Sequence, residues 1–259
     1  MFQELYNPSL REQKEIVVTN DGSCTLYSAE FDECYHSSSD GALNESLQKH
    51  IVPAFKFAAK KEKLTILDIC YGLGFNTLAT LWYHKQKGLK SKLHIIAPEL
   101  DKALVASLKD FSYPKEFESF RDIIKALSEK FFYEDEQVKI EILLGDAREV
   151  IKEISSKVDI IYQDAFSPKK NPALWTYEWF RDLKQISSSE VVLTTYSIAT
   201  PIRLGLFENG FRVYEYKTAT TRRSTIASLQ ELDLDEVDMR LKLQRNPDAK
   251  PLRDSDLVK

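Results

Sequence analysis

Asp164 stands where an apolar run meets a stiffened turn. Val158-Asp159-Ile160-Ile161-Tyr162-Gln163 precedes it, and Ala165-Phe166-Ser167-Pro168-Lys169-Lys170-Asn171-Pro172-Ala173-Leu174-Trp175 follows. An acid at the carboxyl end of a strand lies where open α/β sheets bind and process ligands. A carboxylate, an aromatic ring and a proline-bearing turn come together here within a few residues. That grip suits a flat, polar, amine-bearing molecule. An ordinary strand-to-helix connection, with the Asp acting only as a cap, is the plain alternative.

Three further positions repeat the theme. Gly72 and Gly74 follow the apolar run Leu64 to Cys70, Glu99 ends the run from Leu93, and Asp146 follows the run Lys139 to Leu144. Glycines permit a sharp turn and a close approach of backbone to ligand. An acid at the end of the second strand can accept both hydroxyls of a ribose. An Asp after the third can accept a hydrogen bond from the exocyclic amine of adenine. Together they outline an adenosine pocket. A dinucleotide site prefers a third glycine, and that position is Thr77 here. The acid after the third strand favours S-adenosylmethionine over NAD. Asp68, Asn76 and Ala147 stand beside these residues and complete the expected cofactor set. Turn glycines without a ligand, and an Asp146 that only caps a helix, remain the ordinary alternatives.

Such positions need a frame of alternating elements. Ile16 to Val18 and Cys24 to Tyr27 flank Asn20-Asp21-Gly22, strong hairpin chemistry. Ala42 to Ala59 reads as a helix with Leu43, Leu47, Ile51 and Ala54 on one face and a kink at Pro53. Strands then alternate with helices: Leu64 to Cys70, Leu93 to Glu99, Lys139 to Leu144, Val158 to Gln163, Glu190 to Tyr196, Phe211 to Tyr216 and Ser224 to Leu229. Residues 115–132 form a helical insertion. The expected fold is α/β and Rossmann-like: a seven-stranded, mostly parallel sheet, its last two strands antiparallel, with an N-terminal β-hairpin extension. Residues 1–60 are read as that extension, 61–230 as the main domain, and 231–259 as a charged tail made of a solvated helix and an extended end.

Composition narrows the partners. A chain of 259 residues with net charge −4 lacks the strong basic field of a general nucleic-acid coat, although a local basic face is compatible with it. No apolar run reaches the ~20 residues needed to cross a bilayer. Met1 to Leu10 has no apolar signal core, so a cytoplasmic location is expected and a membrane partner is not. Cys24, Cys34 and Cys70 show no paired spacing and read as free thiols. His36, His50, His84 and His94 are scattered, and no metal is expected.

At this point the chain resembles a known family, the methyltransferase domain of the bacterial tRNA 5-methylaminomethyl-2-thiouridine synthesis protein MnmC. The resemblance runs from about Tyr27 to about Leu229. Asp164 to Trp175 is similar to the family's Asp-Gly-Phe-Ala-Pro-x-Lys-Asn-Pro-x-Met-Trp. Ala29-Glu30-Phe31-Asp32-Glu33-Cys34-Tyr35 looks like its Asp-Phe-Asp-Asp-x-Tyr. Cys70 to Asn76 matches Gly-Phe-Gly-Thr-Gly-Leu-Asn, and Leu206 to Phe211 matches Leu-x-x-Ala-Gly-Phe. Cys70 and Ala165 replace family glycines, and Thr220-Thr221-Arg222-Arg223 keeps only part of a basic loop.

The resemblance implies a class I S-adenosylmethionine-dependent methyltransferase acting on the primary amine of 5-aminomethyl-(2-thio)uridine at the wobble position of tRNA. Asp164 would bind and orient the amine as the catalytic residue. Phe166 would stack on the base, Tyr35 would close the pocket, and Lys169, Lys170, Arg222 and Arg223 would meet phosphates. A monomer is expected. The sequence ends at Lys259, about 30 residues past the last expected strand, so no flavin domain or flavin cofactor is expected in it. Two rivals stay open: an aminopropyltransferase of the spermidine-synthase kind, and a non-catalytic RNA-binding adaptor on a methyltransferase fold.

Overall fold

An N-terminal sheet and a larger central sheet divide the molecule, and the computed structural model describes residues 14–58 and 60–257 of it. Met1 to Leu10, which bear on export, lie outside the described residues, as do Ala59 and Lys259. Strands β1 (Glu15–Val18) and β2 (Cys24–Ser28) pair antiparallel across a turn whose Gly22 has φ +82°. The expected hairpin gains a third strand, β3 (Glu33–Cys34), on the other edge of β2. Asp21 ties this sheet to the next helix by accepting from the Asn44 backbone N–H at 2.9 Å. A Cβ at Gly41 would fall 2.2 Å from the Asp21 carboxyl carbon, so the close approach requires glycine there.

The helix that follows is α1 (Ala42–Glu45), a π-helical turn (Ser46–Ile51) and α2 (Val52–Ala58). Pro53 offers no N–H to the carbonyl four residues back. The chain answers the expected kink by widening the turn before it, and π turns of this kind often mark functional sites.

The central sheet contains β4 (Lys63–Ile69), β5 (Lys92–Glu99), β6 (Phe132–Glu134), β7 (Val138–Leu144), β8 (Val158–Gln163), β9 (Ser187–Thr195), β10 (Arg212–Tyr216) and β11 (Ser224–Ser228). Its order is β10-β11-β9-β8-β4-β5-β7-β6. The middle pairs are parallel, while β11 runs antiparallel to both β9 and β10. Among the described residues the sheet therefore has eight strands where seven were expected. The added strand comes from the end of the helical insertion: Phe131 adopts a left-handed conformation, φ 58°, and turns the chain back to pair β6 antiparallel with β7.

Helices cover both faces, as a buried parallel sheet requires. On β4, Leu64 and Ile66 pack toward α2, α3 (Phe75–Gln86), α4 (Lys102–Ser107) and α5 (Arg121–Lys130), and Leu67 and Ile69 pack toward α6 (Ala147–Val150), α7 (Tyr177–Ile186) and α8 (Thr200–Glu208). Residues 231–259 were expected to end in a solvated, extended tail, but the described part, 231–257, folds back. Met239 of α9 (Met239–Arg245) is buried. The Tyr177 N–H donates to the Leu252 carbonyl at 2.8 Å, and Arg148 holds both oxygens of Asp254. Strand order reverses between β4 and β8, so the crevice for a ligand opens at the carboxyl ends of these two strands.

Candidate functional site

The first wall of that crevice is the turn from β4 to α3. Cys70 (φ 64°), Gly72 (φ 53°) and Gly74 (φ 73°) all take left-handed conformations. A Cβ at Gly74 would meet the Tyr71 hydroxyl at 2.6 Å, so this glycine lets Tyr71 pack under the turn. Glu99 locks the turn to β5: its Oε2 accepts from the Gly72 N–H at 2.8 Å and its Oε1 from the Asp101 N–H at 2.7 Å. Burial pushes its carboxyl up, and these backbone donors pull it back. With the Leu100 N–H as a further backbone donor, the carboxylate still has room to accept one more. Asp146 caps α6 by accepting from the Arg148 N–H at 2.9 Å, and both it and Ala147 face the same cavity.

Beneath this wall lies Asp68, fully buried. Its oxygens accept from the Thr77 hydroxyl at 2.7 Å and, at 3.4 Å, from the Asn76 amide. Burial above all pushes the Asp68 carboxyl up, to about 7. The same Asn76 amide donates to Asp164 Oδ2 at 2.9 Å, so one side chain bridges the acids of β4 and β8. Asn76 Oδ1 is buried with no partner.

Asp164 begins the second wall. Its Oδ1 lies 3.3 Å from His50 Nε2 in the π-helical turn, and His50 Nδ1 lies 3.0 Å from the Thr194 hydroxyl. Burial pushes the Asp164 carboxyl up, but the His50 imidazole outweighs this, with His36 and Asn76 helping, and holds it below the usual range. The turn after Asp164 is pinned throughout. Tyr196 donates to the Ala165 carbonyl at 2.9 Å, Trp175 to the Phe166 carbonyl at 2.8 Å, and the Ser167 N–H reaches Glu33 of the N-terminal sheet at 3.1 Å. Phe31 stacks on Phe166 with ring centres 4.3 Å apart, and Tyr35 meets Phe166 edge-on at 4.9 Å.

The two walls enclose about 1030 Å³. That is the top of the range for one drug-sized ligand, with room for a cofactor and the reacting end of a second molecule. Of the residues singled out in the sequence, Tyr35, Gly72, Asn76, Glu99, Asp146, Ala147, Asp164, Phe166, Arg222 and Arg223 line it. Asp68 and Gly74 support the wall from behind. Lys169 and Lys170 are exposed outside the cavity, and Lys170 pairs with Asp32 at 2.9 Å. Phe166 already has one face covered by Phe31. Sequence reasoning missed His50, which follows no ligand spacing and reaches Asp164 only through the fold. It also missed the buried Lys49, held by Asp40 and Glu45 at 2.7 and 2.8 Å on the cavity's far side.

The sequence pattern of the family described as S-adenosyl-L-methionine-dependent methyltransferase matches residues 115–231. The solved structure of MNMC2 from Aquifex aeolicus is 32% identical, covers 100% of this chain and 84% of that one, and superposes with a TM-score of 0.84. The chain belongs to the MnmC methyltransferase family. An uncharacterized protein of Methanocaldococcus jannaschii is 30% identical over 226 residues, which are 83% of this chain and 59% of that protein. The tRNA 5-methylaminomethyl-2-thiouridine biosynthesis bifunctional protein MnmC of Leptospira interrogans is 28% identical over 213 residues, 76% of this chain and 32% of that one. The chain thus spans about three-fifths of the archaeal relative and about a third of the bifunctional one. Family membership makes this an S-adenosylmethionine-dependent methyltransferase and sets aside the adaptor reading. Among the described residues, no helix is long and apolar enough to cross a membrane, and no group of three His, Cys, Asp or Glu could hold a metal ion.

Proposed function

We propose that the protein methylates the primary amine of 5-aminomethyl-(2-thio)uridine at the wobble position of tRNA, in the cytoplasm. The observation that carries this is Asp164. It is a carboxylate held ionised at the end of β8, across the crevice from the Glu99 wall and beside the rings of Tyr35 and Phe166. The relatives' names supply the class of RNA, and the chemistry of the cavity accords with an alkyl amine. In this reading 61–230 is the catalytic domain, 1–60 supplies Tyr35 and His50 to it, and 231–259 is a C-terminal segment that braces α6 and α7.

The first wall fits S-adenosylmethionine. The remaining acceptor capacity of Glu99 suits a ribose hydroxyl, and the missing Cβ of Gly72 leaves backbone open to contact. The orphaned Asn76 Oδ1 suits a donor such as the cofactor's α-amine. Asp146 and Ala147 would border the adenine. Once bound, the cofactor supplies a methyl group on a sulfonium centre. The protein's own work is positioning. Asp164 orients the amine, which can contribute several kcal/mol. Tyr35 closes over it, and Tyr196 and Trp175 fix the turn that carries Phe166. Arg222 and Arg223 sit at the mouth, where an RNA backbone would pass. Lys169 and Lys170 would meet it further out.

The test is purified protein with S-adenosylmethionine and tRNA carrying the aminomethyl nucleoside, read by nucleoside mass spectrometry. One methyl per wobble uridine is expected. No product should form from the carboxymethylaminomethyl nucleoside, whose added negative charge sits badly against Asp164. Putrescine with decarboxylated S-adenosylmethionine tests the aminopropyl rival. Turnover of that pair, with none on tRNA, would replace the present reading.

A further inference from the structure

Beyond Asp164 the cavity ends in a charged cluster for which positioning the amine gives no use. Lys49 of the π-helical turn is 5% exposed, yet it lines the cavity together with Asp40, Glu45 and His36. An ammonium has three hydrogens to give. Two are spent, on Asp40 Oδ2 at 2.7 Å and Glu45 Oε1 at 2.8 Å, and one is left. Burial works against the charge, and the two carboxylates more than restore it, so Lys49 stays a cation. Among the described residues none donates to Asp40 Oδ1. The chain is fixed around these groups: the Ser37 N–H donates to Glu45 Oε2 at 2.7 Å, the Asp40 N–H to Ser37 Oγ at 3.1 Å and the Asn44 amide to the Asp40 carbonyl at 3.0 Å. Buried charges cost solvation, and apolar packing could fasten a loop to a helix without them. His36 joins the cluster to Asp164. Its Nδ1 is buried without a hydrogen bond, 4.0 Å from Glu45 Oε2, and the ring lies in the field of both carboxylates. Lys49 itself directly precedes His50, which reaches Asp164.

We propose that Lys49 and Asp40 read the imide edge of the flipped-out uracil, with Glu45 holding the ammonium in place. This rests on the methyl-transfer reading above. In a 5-aminomethyluracil the 4-carbonyl sits on the ring carbon next to the one that carries the aminomethyl arm, and the N3–H follows it. With the amine at Asp164, this edge is the part of the base that can meet the neighbouring cluster. The third Lys49 hydrogen goes to the 4-carbonyl, and Asp40 Oδ1 accepts from the N3–H. Enzymes that extrude a base read it by hydrogen bonds to this same edge. Cytosine inverts the pattern. It sets an amino group before the ammonium and a bare ring nitrogen before the carboxylate, so donor faces donor and acceptor faces acceptor. The balance of charge argues against the cofactor's carboxylate as the occupant, since two acids already flank Lys49.

The test compares anticodon stem-loops that carry 5-aminomethyluridine or 5-aminomethylcytidine at the wobble position. The protein should favour uridine by about 100-fold or more in kcat/KM. Lys49→Met keeps the length of the side chain and removes its donors. It should cut that preference to about fivefold or less, chiefly through loss on uridine, with S-adenosylmethionine affinity changed by about threefold or less. Equal losses on both bases mean that Lys49 only braces the loop, and overturn the proposal. So does a loss of cofactor affinity with the preference kept, which would give Lys49 to the cofactor's carboxylate. Asp40→Asn should lose about tenfold of the preference, so a folding failure in the first variant leaves the proposal falsifiable. A wild-type protein indifferent to the base overturns it without any variant. Binding of the two RNAs in the presence of S-adenosylhomocysteine needs no turnover. If wild-type protein binds cofactor but methylates neither RNA, the proposed function fails. A uridine preference in binding that Lys49→Met abolishes would then still uphold the subsite, and equal binding would overturn it.

Discussion

The wall around Glu99 and the wall around Asp164 are made in different ways. The first is mostly backbone. It uses turns that directly follow β4, β5 and β7, and the Gly72 N–H ties the first of them to Glu99. The second is mostly side chains, drawn from distant places: Phe31 and Tyr35 from the N-terminal sheet, His50 from a π turn, Phe166 after β8, Tyr196 after β9, and Arg222 and Arg223 before β11. A ligand shared by many enzymes can be held by the edge of the sheet itself. A particular substrate needs groups imported from elements that the sheet alone would not require.

If the two walls are separable, Asp164→Ala gives the largest effect and breaks nothing on the other side. Turnover should fall by two orders of magnitude or more while cofactor affinity stays within a few-fold. Single-turnover rates with calorimetry of the cofactor check both halves. A variant that methylates at near wild-type rate would reduce Asp164 to a strand-end cap. Loss of cofactor affinity would show that the Asn76 bridge couples the walls.

The reverse experiment is Glu99→Ala. It removes the expected ribose acceptor and should weaken cofactor binding by about 1.5–3 kcal/mol, the scale of a hydrogen bond to a charged group. It also strips the Gly72 and Asp101 N–H groups of their acceptor, so Glu99→Gln, which keeps an acceptor oxygen, should retain part of the affinity. Calorimetry showing no change in either variant would remove Glu99 from the ribose role.

This contrast also explains what is legible in the sequence. The first wall is legible because each part follows its own strand: Gly72 after one, Glu99 at the end of the next, Asp146 after the third. The alternation of strands and helices is legible for the same reason. The eighth strand is not, because β6 is three residues long and depends on one left-handed Phe131. On the second wall Asp164 is visible at its strand end, but His50 is not, since no local spacing joins it to an acid 114 residues away. Asp68 shows the opposite limit. Its position beside the glycine turn points to the cofactor, but full burial makes it a support for Asn76 and Thr77. The fold-back of the C-terminal segment rests on pairs such as Arg148 with Asp254, and their separation in sequence hides them.

Arg222 and Arg223 sharpen the comparison at the mouth of the cavity. Arg223 lies 3.2 Å from Glu215, whose other oxygen takes the buried Arg203 at 3.3 Å. That brace fixes the side of the mouth where Arg223 sits. Reversing both charges, Arg222→Glu with Arg223→Glu, should reduce tRNA affinity by about tenfold at low salt. It should also flatten the salt dependence, by roughly 0.7–0.9 in slope for each phosphate that is no longer neutralised. Filter binding across a salt series measures it. Unchanged affinity at low salt would move the RNA to another face, and a change in cofactor affinity would mean that the mouth reaches the first wall.

The smallest effect is expected where sequence and structure disagree most about purpose. The sequence offers Lys170 as a phosphate ligand, yet it pairs with Asp32 across the gap between the turn after β8 and the N-terminal sheet, with 35% and 71% of the two side chains exposed. An ion pair this open to water is screened and loses side-chain entropy, so it contributes about 0–1 kcal/mol. The half-buried links beside it, the Phe31 stack on Phe166 and the Glu33 bond to Ser167, can hold the two parts together without it. Lys170→Ala should therefore change thermal stability by less than about 1 kcal/mol. Any loss in tRNA affinity should be smaller than that of the arginine pair. A larger loss of stability, relieved in a double variant with Asp32→Ala, would make this surface pair a clamp on the second wall. That wall would then depend on charge at its outer edge as well as on the aromatic packing beneath.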